Sequence, residues 1–134
     1  MQKTEIMNNK LPSLGFPWAV RIKNVAEWIF ISGVPPMDKL GAVVEKDNAI
    51  AQFTYEMDRI LEILKAEGLD LKNLVSLTIT VTQKADLYAN WDTFVRVYQK
   101  YFPDIHGPAG GTLRIVSALS HPKMLVETEA IAAK

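Results

Sequence analysis

Nine residues, Leu74 to Thr82, alternate without interruption: Val75, Leu77, Ile79 and Val81 fall on one side, and Ser76, Thr78, Thr80 and Thr82 on the other. Side chains along a strand point to opposite faces in turn, so this segment reads as a strand with one apolar and one hydroxylated surface. The apolar surface needs a covering layer, and two stretches of helical period supply it. In the first, Ile50, Phe53, Met57, Ile60, Leu61 and Leu64 recur at steps of three and four; Asp47 or Asn48 can cap its start, and Gly68 stops it after Glu67. Glu56, Arg59, Glu62 and Lys65 are expected on its wet face. In the second, residues 86–102, Leu87, Trp91, Phe94, Tyr98 and Tyr101 keep the spacing and Pro103 ends it.

Residues 19–22, 28–32, 42–45, 111–116 and 124–132 read as further strands, which gives the order ββ(β)αβαββ. Two helices cover only one face of such a sheet, so the expected class is α+β, a mixed sheet with both helices packed on one side. Trp28-Ile29-Phe30-Ile31 is apolar on consecutive positions and demands cover on both faces. With no helix left for the second face, another copy of the chain is expected to seal it, most simply in a closed ring.

The 134 residues suit a single domain, 1–134, with the first ten loosely ordered. Fifteen basic and fifteen acidic residues cancel, so no overall field gathers polyanions, and nucleic acid is not an expected partner. Zero cysteines exclude disulfides, thiolate nucleophiles and cysteine-ligated metals. The first ten residues carry no signal-type apolar run and no stretch approaches the ~20 apolar residues of a membrane span, so a soluble cytoplasmic protein is expected. There is no phosphate-binding glycine loop, metal-ligand run or nucleophile elbow. His106 and His121 stand alone in loop contexts and read as solvated. Glu127 and Glu129 share one face of the last strand with Leu125 and Ile131, at a rim or in a pocket. Pro108-Ala109-Gly110-Gly111-Thr112 is either a plain turn or a place where missing side chains let a ligand or another backbone come close.

At Phe30-Ile31-Ser32-Gly33-Val34-Pro35, at the helix start containing Gln52, at Tyr98-Gln99-Lys100-Tyr101-Phe102, at Pro108-Ala109 and at Leu125-Val126-Glu127-Thr128-Glu129-Ala130-Ile131-Ala132, the chain resembles the Rid family. These are the reactive intermediate deaminases, also called YjgF/YER057c/UK114 or L-PSP endoribonucleases. The resemblance implies a chorismate-mutase-like fold, a homotrimer with ligand pockets between subunits, and hydrolysis of an enamine or imine without metal or cofactor. In the deaminating members an arginine after the Pro-Ala pair clamps the substrate carboxylate, and a glutamate of the last strand orients the attacking water. By position, Glu127 matches that glutamate, and Ser32 and Gly33 match the pocket floor. Three positions depart: Gly110 stands for the clamp arginine, Phe16 for a pocket tyrosine and Val95 for an asparagine.

Arg114 shares a strand face with Gly110 but lies four residues along, about 13 Å at roughly 3.3 Å per residue, so it suits only a longer substrate. Gly15-Phe16-Pro17-Trp18-Ala19 and Leu119-Ser120-His121-Pro122 look like patterns of the 2-aminomuconate deaminase-like members, which act on longer conjugated acids. Two functions stay open on these residues. One is a deaminase in which Glu127 orients water while Ser32 and the backbone of Gly110, Gly111 and Thr112 hold the substrate. The other is a small-ligand-binding trimer whose pocket is lined by Phe16, Trp18 and Val95. A ribonuclease, the family's older name, fits poorly with zero net charge.

Overall fold

The computed structural model describes residues 1–12, 17–103 and 111–134. Its strands and α-helices are β1 (Gln2–Ile6), β2 (Ala19–Lys23), β3 (Trp28–Val34), α1 (Ala49–Ala66), β4 (Leu74–Thr82), α2 (Trp91–Tyr101), β5 (Leu113–Val116) and β6 (Val126–Ala133). The order is βββαβαββ, yet two members differ from those expected. The segment expected to be loose forms β1, which pairs antiparallel with β2 from Gln2↔Lys23 to Ile6↔Ala19. Its residues are mostly polar, so no apolar stripe announces the strand, and a partner about twenty residues on makes it one. The Lys3 ammonium donates to the carbonyls of Lys72 at 3.0 Å and Leu74 at 3.4 Å, which ties this hairpin to the start of β4.

The strand expected at 42–45 is only a bridge, Met37↔Val43. Gly41, Glu45 and Asp47 take positive φ of 79°, 50° and 63°, and left-handed residues so closely spaced interrupt an extended run. The second helix also starts late. Asp86 sits in the left-handed region, a 3₁₀ turn spans Leu87–Asn90, and α2 follows from Trp91. α1 begins where its cap chemistry predicts, the Asn48 side chain accepting from the Ala51 N–H at 2.9 Å. It ends at Gly68, whose φ of +72° lets the Gly68 and Leu69 N–H groups return to the carbonyls of Lys65 and Leu64.

The main sheet has the order β3-β6-β4-β5. β6 is antiparallel to both β3 and β4, while β4 and β5 are parallel and joined through α2. Register assigns the faces. Leu77↔Ala130, Ile79↔Thr128, Val81↔Val126 and Ile31↔Ala130 lie on one side, beneath α1. There Phe53, Met57, Ile60 and Leu64 are fully enclosed, and Phe53 meets Phe94 of α2 with ring centroids 5.1 Å apart. The opposite side carries Phe30, Ile131, Ser76, Thr78, Glu129, Thr80, Glu127 and Arg114, and no described helix covers it. Trp28 and Phe30 are exposed there to 50% and 74%. No described helix is long and apolar enough to cross a membrane.

Glu56 departs most from the sequence reading. Expected on the wet face, it is 0% exposed. It lies four residues after Gln52 and four before Ile60, both enclosed as well, so it belongs to the row of α1 that meets β6.

Candidate active site

Ile31 pairs with Ala130 and Val34 with Thr128, so two residues of β3, Ser32 and Gly33, oppose the single Glu129 of β6. Such a bulge bends its strand and re-aims the side chains around it. Here it seats Gly33 against Glu127: a Cβ on Gly33 would come within 3.0 Å of both Cδ and Oε1 of the Glu127 side chain. Any residue but glycine would push that carboxyl aside. Glu127 is half-buried on the open face of β6, and among the described residues its carboxyl has no hydrogen-bond or ion-pair partner.

One row further along, Phe30, Ser32, Ser76, Thr78, Glu129 and Ile131 surround a cleft of about 270 Å³. Three hydroxyls, one carboxyl and an aromatic ring suit a small polar molecule with a flat or conjugated body. Thr78 faces Glu129 and Thr80 faces Glu127 in the β4–β6 register, so the two carboxylates lie in adjacent rows. The sequence alone does not mark Glu129, Ser76, Thr78 and Phe30 as binding residues. Period two placed Glu129 beside Glu127, but only the β3–β6–β4 register brings the hydroxyls of β4 to it.

Arg114 pairs with Thr80 across the parallel β4–β5 ladder, and Thr80 pairs with Glu127. Arg114, Thr80 and Glu127 thus form one transverse row of the open face, with Arg114 and Glu127 about 10 Å apart at two strand spacings of ~4.8 Å. The guanidinium is exposed and has no ion pair among the described residues. Sequence distance from Gly110 conceals this placement.

Gly111 fits one of its sequence readings, the close approach of another backbone. A Cβ there would lie 1.6 Å from the carbonyl oxygen of Leu77, so the missing side chain lets β4 press against the chain. Thr112 is engaged too, its carbonyl accepting from the Ile79 N–H at 3.0 Å. Trp18, partly exposed, precedes β2, and its N–H bonds the Ile6 carbonyl at 3.1 Å, in the hairpin rather than the main sheet. Val95 is on α2, in the helix layer, whereas Glu127 is on the open face of β6. Phe16, His106 and Gly110 lie outside the described residues. The Nδ1 of His121, read from sequence as solvated, accepts from the Lys123 N–H at 3.1 Å and closes a turn. No cluster of metal-ligating side chains occurs among the described residues.

Beneath the sheet, Glu56 accepts from the Thr128 hydroxyl at 2.8 Å, and its other oxygen is buried without a partner. Burial raises its carboxyl from 4.5 to about 9, the Thr128 bond opposing and the nearby Glu127 adding to the rise. At neutral pH Glu56 is therefore a neutral acid.

The sequence model described as "Endoribonuclease L-PSP" matches residues 10–134. Reactive Intermediate Deaminase A, chloroplastic, of Arabidopsis thaliana is 29% identical over 95% of this chain, which spans 65% of that protein's length. The 3-aminoacrylate deaminase RutC of Acinetobacter baylyi is 29% identical over 78% of this chain and 77% of its own. Among solved structures, the conserved Rid-family protein YyfB from Yersinia pestis superposes with a TM-score of 0.81 at 25% identity, covering 100% of both chains.

Proposed function

We propose that this chain, which belongs to the Rid (YjgF/YER057c/UK114, endoribonuclease L-PSP) family, is a hydrolytic deaminase of small enamine or imine metabolites, working as a homotrimer. The observation that carries the reading is the Glu127 carboxyl, seated over the side-chain-free Gly33 on the open face, one row from a polar cleft that Ser32 and Glu129 line. In the reaction an enamine tautomerises to its imine. Glu127 takes a proton from water as the water oxygen bonds to the carbon of the protonated imine, giving a neutral carbinolamine. Glu127 returns that proton to nitrogen and then takes the hydroxyl proton as the C–N bond breaks, so the products are a carbonyl compound and ammonia. Besides proton transfer at Glu127, this chemistry asks the protein for positioning and charge complementarity.

The substrate class follows from what replaces the clamp. Gly110 offers no charge, whereas Arg114 stands in the Glu127 row about 10 Å away by strand spacing. An arginine two strands from Glu127 suits a carboxylate several bonds from the reacting carbon, as in a conjugated amino-diacid, better than the adjacent carboxylate of 2-aminoacrylate. The trimer is supported by the open face itself, where Trp28 and Phe30 stand in water on a lone protomer. Zero net charge, and two carboxylates on the cleft side, oppose RNA phosphate and count against a ribonuclease.

The test is ammonia release from 2-aminoacrylate and from an aminomuconate-type acid, with Glu127→Gln as the control. Turnover that falls at least ~100-fold in that variant is expected, with the longer acid preferred. No release from either substrate, or release indifferent to the substitution, refutes the enzyme. In that event the exposed Phe30 and the half-apolar cleft favour a binder of flat metabolites, which a thermal-shift screen would identify.

A further inference from the structure

Glu56 is enclosed on α1 with one oxygen on Thr128 and the other unbonded, and no described cation pairs with it. Stability alone explains it badly, because a half-satisfied buried carboxyl is worse than an apolar side chain of the same shape. Its neighbours suggest another role. One turn earlier on α1, the enclosed Gln52 accepts from the Leu125 N–H at 2.7 Å and donates to the Lys123 carbonyl at 3.0 Å. Successive turns of one helix therefore grip the chain at Leu125 and at Thr128, on either side of Glu127. From the other face, Gly33 shapes the space that the Glu127 carboxyl fills.

We propose that Glu56 is a positioning residue for the site: through Thr128 it holds, from the far side of the sheet, the piece of β6 that presents the Glu127 carboxyl on the open face. The inference rests on Glu127 being the group that orients water. It also gives the neutral state of Glu56 a purpose. An ionised Glu56 would put a second negative charge near Glu127 with no cation to balance it. Glu127 of β6 is the charged group that acts on it. β3 presents no titratable side chain to it, and on α2 burial holds the Tyr98 and Tyr101 hydroxyls up at about 12, neutral through the relevant range. Deprotonation of Glu56 therefore perturbs the site from behind, at alkaline pH, without any contact with substrate.

Two variants and two readouts test this. Glu56→Gln keeps the shape and the Thr128 partner but cannot ionise; Thr128→Val keeps the acid and deletes the bond. The kcat–pH profile of the wild type is expected to fall on an alkaline limb near pH 9, and a ¹³C signal from the Glu127 side-chain carbonyl to show an inflection at the same pH. In Glu56→Gln both features disappear, while kcat at pH 7 stays within about threefold of wild type. Thr128→Val lowers kcat about tenfold in a folded protein, as a misplaced catalytic group would. An alkaline limb or inflection that persists in Glu56→Gln, or a Thr128→Val enzyme at the wild-type rate, overturns the inference. Should the wild type release no ammonia, the deaminase reading fails on its own. The carbon titration then decides the positioning claim: an inflection present in the wild type and lost in Glu56→Gln supports it, and its absence in the wild type rejects it.

Discussion

The two faces of the main sheet are built to opposite rules. Under α1, Leu77, Ile79, Val81, Val126 and Ala130 meet Phe53, Met57 and Ile60 in a closed apolar layer, interrupted among the described residues by Gln52, Glu56 and Thr128. On the other side hydroxyls, two carboxylates and an arginine share the surface with Trp28 and Phe30, which stand largely in water. A face that leaves Trp28 and Phe30 in the open and lines a cleft is arranged for contact rather than for the stability of one protomer. The covered face explains why the protein folds, and the open face explains what it is proposed to do. The polar interruptions of the covered face lie behind the residue on which the open face depends.

Changes on the two sides should separate stability from activity, and the largest effect belongs to the covered side. Phe53→Ala empties the centre of the enclosed layer and should lower unfolding free energy by about 3–5 kcal/mol in urea titrations. On the open side, Glu127→Gln should lower kcat at least ~100-fold, equivalent to about 2.7 kcal/mol of transition-state stabilisation, with an unchanged melting temperature. An equal loss of stability there would erase the distinction between the faces.

Glu56 predicts a pH dependence with a definite sign. Its folded-state value, about 9, lies above the ordinary 4.5, so as pH rises the unfolded chain loses this proton first. The stability it contributes is whole below about pH 4.5, declines by about 1.4 kcal/mol per pH unit through the window, and levels off above about pH 9. Denaturant titrations from pH 5 to 8 should show this slope in the wild type and lose it in Glu56→Gln.

Smaller effects sharpen the contrast. Gly33→Ala places a methyl group within 3.0 Å of the Glu127 carboxyl, and activity should fall about tenfold for less than ~1 kcal/mol of stability. Phe30→Ser should leave protomer stability within about 0.5 kcal/mol, since the ring is 74% exposed. The same change should reduce the mass measured by light scattering. A mass that matches a single chain in the wild type would remove the proposed partner from the open face.

Much of this architecture was legible in advance wherever the information is local. The alternation from Leu74 to Thr82 is β4, residue for residue, and the Asn48 cap and Gly68 stop bound α1. Glu127 and Glu129 do share a face of β6, as period two requires. β1 escaped notice because its partner, and not its own pattern, makes it a strand. The burial of Glu56 is not legible in the sequence, because a charged side chain inside the stripe of a helix reads as solvent-facing unless its partner, Thr128, is known to lie opposite.

The sequence by itself determined the periodic elements, their caps and the chemistry available on each strand face, because propensity, capping and alternation act between residues a few positions apart. Only the tertiary structure decided that Arg114 stands in the Glu127 row, that Gly111 presses on the Leu77 carbonyl, and that Glu56 is sealed behind β6. Those facts depend on strand register and on contacts across roughly thirty to seventy residues of chain. There the free energy of pairing and burial, rather than local preference, selects which groups meet.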